Sequence, residues 1–219
     1  MSKADIIFNY LQEKYRTNEP IFLSDIDIPD ISNVSIRQQI KKLTQNGQLK
    51  RYDTGIYYIP KKSIFRSGST ISIDDVIKKK YLSDGKLCCG YIGGMFFANQ
   101  LGLTTQVPGI YEIYTNKATT DYRETKLANL RVILKKPCIR IDDFNAATLQ
   151  FLDLLKEILD ISEIEGKELT ARLINYMKKK NISFENMKPF LQYYPERIYR
   201  NMYEVGLLNG LSTWKQRRI

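Results

Sequence analysis

Apolar residues near the start of the chain fall at Ile6, Ile7, Tyr10, Leu11 and Tyr15, a one-sided helical spacing over residues 3–15. Asn18 and Pro20 end it. Leu23 to Ile26 predicts a second, short or irregular helix, opened by Ser24 and interrupted by Pro29. Residues 33–46 predict a third helix, in which Ile36, Ile40 and Leu43 form one narrow stripe. Ser32 or Asn33 caps its start and Gly47 its end. Lys50-Arg51-Tyr52 and Ile56-Tyr57-Tyr58-Ile59 are β-prone runs around the turn Asp53-Thr54-Gly55, the pattern of a hairpin.

Further along, Ser63 to Ser72 reads as a linker, and a helix is expected from Asp74 to about Leu82. Its basic end, Lys78-Lys79-Lys80, suits a helix C-terminus. An apolar helix with Phe96, Phe97 and Leu101 on its buried side follows Gly93-Gly94. Residues 110–115 and 130–135 predict strands. Thr119 to Asn129 between them is polar, a loop or a strand edge. From Asp142 the pattern is helical. Phe144, Leu149, Phe151, Leu152, Leu155, Ile158 and Leu159 mark a long amphipathic helix. Leu169, Leu173, Ile174 and Met177 mark a second. Phe184 to Tyr194 marks a third, with Pro189 near its start. A fourth begins at Pro195, carries Ile198, Met202, Val205 and Leu208, and is stopped by Asn209-Gly210. The expected fold class is α+β. A winged helix-turn-helix domain over 1–66 precedes a second domain over 67–219. That domain has a small sheet with helices at about 70–140, a helical part at 142–210 and a basic tail at 211–219.

Charge sharpens the reading of the first seventy residues. The 219-residue chain carries 34 Lys and Arg against 24 Asp and Glu, a net +10. Residues 31–68 hold eight basic residues and one acid, Asp53, a net +7, whereas residues 1–30 are net −3. Concentrated positive charge is the electrostatic footprint of nucleic-acid binding. On the wheel of the third helix, Gln38, Lys41 and Gln45 point away from the apolar stripe, flanked by Ser35, Arg37 and Lys42. Arg and Gln make bidentate bonds to base edges, and Ser and Lys reach phosphates. Helix, short helix, basic helix and basic hairpin is the element order of a winged helix-turn-helix. There the third element enters the major groove, and Lys50, Arg51 and Thr54 of the wing touch the flanking backbone. Small three-helix units with a hairpin also serve as protein–protein modules, so the pattern leaves that alternative open.

Composition narrows the chemistry. The absence of His excludes a Ser-His-Asp triad, a Cys-His dyad and a His-ligated metal. Cys88, Cys89 and Cys138 form neither a C-x-x-C pair nor a disulfide framework, which points to a reducing compartment. Cys138 reads as a small buried hydrophobe. The acid-bearing N-terminus lacks a signal-peptide core, and no apolar run approaches the roughly 20 residues of a membrane span. A cytoplasmic, non-membrane protein is expected. Asp153 or Asp160 followed by Glu165-Gly166-Lys167 faintly echoes a nuclease D…ExK pattern, but a loop between helices is the wrong setting for it, and an acidic helix surface explains it better. No phosphate-loop pattern occurs. No catalytic residue, metal or cofactor is assigned.

Gly90-Tyr91-Ile92-Gly93-Gly94, the apolar helix and then Leu101-Gly102-Leu103-Thr104-Thr105-Gln106-Val107-Pro108 resemble the antitoxins of AbiE-type systems, the AbiEi family. Gly55-Ile56-Tyr57-Tyr58-Ile59-Pro60 at the end of the winged helix and Tyr111-Glu112-Ile113-Tyr114-Thr115-Asn116 fit the same family. The resemblance covers residues 5–140. It implies a type IV antitoxin of an abortive-infection system that binds double-stranded DNA and represses its own promoter. Because one winged helix covers little DNA, an inverted-repeat site bound by two copies is expected. The resemblance also implies a nucleotidyltransferase-like toxin as functional partner, without need of a stable complex. The bare motifs support a DNA-binding regulator, and a stand-alone regulator with a ligand-sensing or dimerising second domain is the alternative. The tail residues Lys215, Arg217 and Arg218 either contact phosphate or are solvated, and Trp214 either packs back or stacks on a partner.

Overall fold

The computed structural model describes residues 2–62 and 68–208. It is a mixed structure of helices and strands, and the chain divides into two compact units, Met1–Lys80 and Tyr81–Ile219. The boundary expected after residue 66, much of the Ser63–Ser72 linker, the Asn209-Gly210 stop and the basic tail with Trp214 lie outside the described residues.

In the first unit, α1 (Lys3–Lys14) opens with a reciprocal cap in which Ser2 and Asp5 each bond the other's backbone N–H. Ile7 and Leu11 face inward. Strand β1 (Ile21–Phe22) runs into a single 3₁₀ turn, Leu23–Asp25, so the second helix is as short as its sequence suggested. Helix α2 (Asn33–Gln45) follows, then β2 (Lys50–Asp53) and β3 (Ile56–Tyr58). The strands form an antiparallel sheet in the order β1-β3-β2, with Phe22 opposite Ile56 and Arg51 opposite Tyr57. Ile7, Leu11, Ile21, Ile36, Ile40, Leu43 and Leu49 fill the core beneath it. Helix α3 (Ile73–Ile77) is shorter than its sequence suggested and passes into a π-helical turn, Lys78–Leu82.

The second unit begins with a two-stranded ribbon, β4 (Ser83–Asp84) and β5 (Leu87–Cys88). Next come β6 (Gly90–Gly93), α4 (Gly94–Gln100), β7 (Ile110–Thr115), β8 (Tyr122–Leu127) and β9 (Leu130–Lys135). The sheet order is β6-β7-β9-β8, and the central pair β7–β9 is parallel while the outer pairs are antiparallel. A Cβ at Gly90 would lie 2.6 Å from the Tyr81 carbonyl oxygen and 2.7 Å from that of Tyr114, so β6 packs against both the π-helical turn and β7 there only because the side chain is missing. Gly94 turns the chain from β6 into α4 at φ +58°. Among the described residues the unit continues with the helices α5 (Ala146–Ile161), α6 (Gly166–Lys179), α7 (Phe184–Leu191) and α8 (Arg197–Glu204). Their inner faces and the sheet share one core that includes Tyr91, Phe97, Leu103, Phe151, Leu155, Leu173 and Met202.

Of the two readings of Thr119–Asn129, the strand edge is the one found: it contains the edge strand β8, whose one fully buried residue, Leu127, leaves a mostly polar sequence. Other expectations for this unit are corrected. Cys138 is exposed, because it follows β9 and its neighbour Ile139 takes the inward position. Phe144 is 97% exposed and precedes α5, and Leu159 turns outward near the helix end. On α4, Phe97 and Ala98 are buried while Phe96 and Leu101 are only half-buried, with Phe96 resting against the Tyr111 ring. Pro189 lies in the second half of α7, and α8 starts at Arg197, two residues beyond Pro195. Gly206, at φ +72°, ends α8.

Candidate nucleic-acid interface

The geometry of α2 follows from its two ends and one stripe. The Ser32 hydroxyl accepts the Ser35 N–H at 3.3 Å and caps the helix. Gly47, at φ +73°, lets the chain reverse after it. Ile36, Ile40 and Leu43 are buried, as their spacing requires. The opposite surface carries Arg37, Gln38, Lys41, Lys42 and Gln45, all exposed, with Ser35 half-buried at its margin. No carboxylate occurs between Asp30 and Asp53, so this face holds only positive and neutral groups. Val34 lies on the same line and is 64% exposed. The signal for it was present in the sequence: it stands four residues before Gln38 and seven before Lys41, one helical face.

The hairpin presents a second group. Its turn is fixed at Gly55 (φ +72°), and the Gly55 carbonyl accepts the Leu23 N–H at 2.9 Å. The Asp53 carboxylate accepts the Thr54 N–H at 2.6 Å. Arg51 donates to the Thr54 hydroxyl at 2.9 Å and to the Asp53 carbonyl at 3.2 Å, which holds an exposed guanidinium over the turn. Burial pushes the Tyr52 phenol up, and Asp53 adds to it. Lys50 departs from this group. It is half-buried, and its ammonium lies against the backbone of Gly68. Thus Arg51 and Thr54 project at the hairpin tip while Lys50 packs along the following segment.

In the second unit, the Leu101–Pro108 string is a clasp built from side chains. Gly102 ends α4 at φ +68°. The Thr104 hydroxyl accepts the Gln106 N–H, and Asn99 donates to the Thr104 and Gln106 carbonyls. The Glu163 carboxylate accepts both the N–H and the hydroxyl of Thr105, at 2.7 and 2.8 Å. These bonds, chiefly the one from the Thr105 N–H, hold the Glu163 carboxyl down at about 2. A cavity of about 660 Å³ lies nearby, lined by Phe97, Gln100, Tyr176, Arg172, Lys179 and Lys180 among others.

The faint nuclease pattern does not assemble. Asp153 is buried on α5, where it accepts the Tyr91 hydroxyl at 2.5 Å and pairs with Lys156 at 3.0 Å. Glu165 and Lys167 are exposed at the start of α6. Among the described residues, no group of three or more Cys, Asp or Glu is placed to hold a metal ion, and no helix is long and apolar enough to cross a membrane. No protein-family model and no curated protein sequence matches this chain.

Proposed function

We propose that the first unit is a winged helix-turn-helix that binds double-stranded DNA, with α2 in the major groove and the β2–β3 hairpin on the adjacent backbone. The observation that carries this reading is the acid-free outward face of α2, opposite a fully buried stripe and followed by an exposed Arg51 at a hairpin tip. Arg37, Gln38 and Gln45 would read base edges, while Ser35, Lys41, Lys42, Arg51 and Thr54 would meet phosphates. The resemblance of residues 5–140 extends the proposal. In it the protein is a type IV antitoxin, not an enzyme, that represses its own promoter at inverted repeats and counters a nucleotidyltransferase-like toxin in the cytoplasm.

A gel shift on the DNA upstream of its own gene, with shuffled DNA as competitor at two salt concentrations, tests the core of this. Specific binding that weakens steeply with salt supports it, since each phosphate contact contributes about 0.9 to the logarithmic salt slope. Binding no tighter than to shuffled DNA refutes it. Arg37→Ala or Gln38→Ala is expected to cost about 1–3 kcal/mol and relax base preference. Arg51→Ala is expected to weaken all sequences equally and lower the salt slope by about one. Lys50→Ala is expected to do less, because its ammonium already lies against Gly68. Where a nucleotidyltransferase gene lies beside this one, rescue of growth on co-expression of the two proteins tests the antitoxin reading.

A second reading is a stand-alone regulator with a ligand-sensing second domain, for which the open, largely polar cleft lined by Gln100, Arg172 and Lys179 offers a place. A nucleotidyltransferase gene beside this one favours the first reading, and its absence the second.

A further inference from the structure

Val34 is the one large apolar residue that α2 exposes, at 64% of its full surface. A β-branched residue is a poor helix former, and an apolar side chain in water contributes nothing to the fold. Its place is specific. Val34 is the second residue of α2, and Gln38, Lys41 and Gln45 follow it at four, seven and eleven residues, all on one exposed line. It therefore leads the line from which Gln38 and Gln45 would face the groove. The N-terminal residues of a helix docked in the major groove approach the base edges most closely. Among the bases, thymine alone offers an apolar group there, its 5-methyl. A valine at that position has no hydrogen bond to give and only methyl groups to pack.

Resting on the DNA-binding reading above, we propose that Val34 is a specificity residue that packs on the 5-methyl of a thymine in the bound sequence. Val34 and Gln38 are about 6 Å apart along the helix axis. At about 3.4 Å per base, the thymine lies within roughly two base pairs of the base that Gln38 reads.

The test uses the full-length protein and a DNA duplex that it binds specifically, from the region upstream of its gene. Each thymine is replaced in turn by deoxyuridine, which removes only the methyl. The wild type is expected to lose about fourfold in affinity at one thymine per half-site and little elsewhere. Val34→Ala is expected to bind the unmodified duplex about fourfold more weakly and to be indifferent to uracil at that position. Its binding to shuffled DNA should be unchanged. Arg37→Ala, in contrast, should keep the uracil penalty. Alanine favours the helix, so circular dichroism should show Val34→Ala folded. A wild type with no uracil penalty at any thymine, or a Val34→Ala protein that retains the wild-type penalty or binds like wild type, overturns the inference while leaving DNA binding intact. Loss of dimerisation without a coupled thymine would assign Val34 to a protein contact and overturn it equally. Absence of specific binding by the wild type would overturn both readings.

Discussion

Asp153 is the residue with most at stake in the second unit. Its side chain is 6% exposed, between the Tyr91 hydroxyl and the Lys156 ammonium, and Lys156 also donates to the Tyr114 hydroxyl. Burial pushes its carboxyl up, while Lys156 and Tyr91 pull it down. Removing one partner of a buried pair strands the other, so Asp153→Ala should cost on the order of 3 kcal/mol in chemical denaturation. Glu163 behaves oppositely. Its carboxyl is depressed from an ordinary 4.5 to about 2, so the native state holds its proton less tightly than the unfolded chain. Its contribution is complete above pH 4.5 and is lost as pH falls from there toward 2. Glu163→Gln should therefore lower stability at neutral pH and flatten the acid limb in that window, read by thermal melts from pH 7 to 2. Neither partnership was legible in the sequence, because Tyr91 and Asp153 are 62 residues apart and Thr105 and Glu163 are 58 apart. Only the fold joins them.

At the scale of elements, local pattern predicted well where one face is buried and the ends are marked. Helix α2 has the expected stripe and the Ser32 cap, and Ser32→Ala should cost about 1 kcal/mol in thermal unfolding. Strands β7 and β9 occupy residues 110–115 and 130–135 as expected, since both are central strands with long apolar runs. Edge strand β8, by its polarity, left loop and strand edge equally open in the sequence. It gains its structure from pairing to β9, from Tyr122 opposite Lys135 to Leu127 opposite Leu130. β1 was hidden by its length, two residues recruited by β3. The C-terminal helix limits moved because Gly206 reverses the chain before residue 209, a position where the sequence offered an equally good stop. For the candidate interface, the outward residues of α2 were legible from periodicity alone, whereas the inward turn of Lys50 brings it against Gly68, eighteen positions away.

On the scale of the whole molecule, each unit has its own core, Ile7 to Ile59 in one and Tyr91 to Leu207 in the other. A cavity in one core should loosen that unit first. Ile40→Ala is expected to cost about 2–5 kcal/mol and to speed amide hydrogen exchange in α1, α2 and β3, with little change in α5. Equal acceleration in both units would show one cooperative block. The sheet of the second unit adds a kinetic consequence. Leu127 and Leu130 pair across only Ala128 and Asn129, so β8 and β9 can close as a local hairpin. The parallel β7–β9 ladder, in contrast, must wait for a chain segment to loop back. Ala128 sits at φ +51°, a left-handed conformation that costs an alanine about 1 kcal/mol and a glycine almost nothing. If the hairpin is the seed on which β7 later docks, Ala128→Gly should hasten refolding while leaving the unfolding rate nearly constant. The tightest turn in the sheet would then act as its clock.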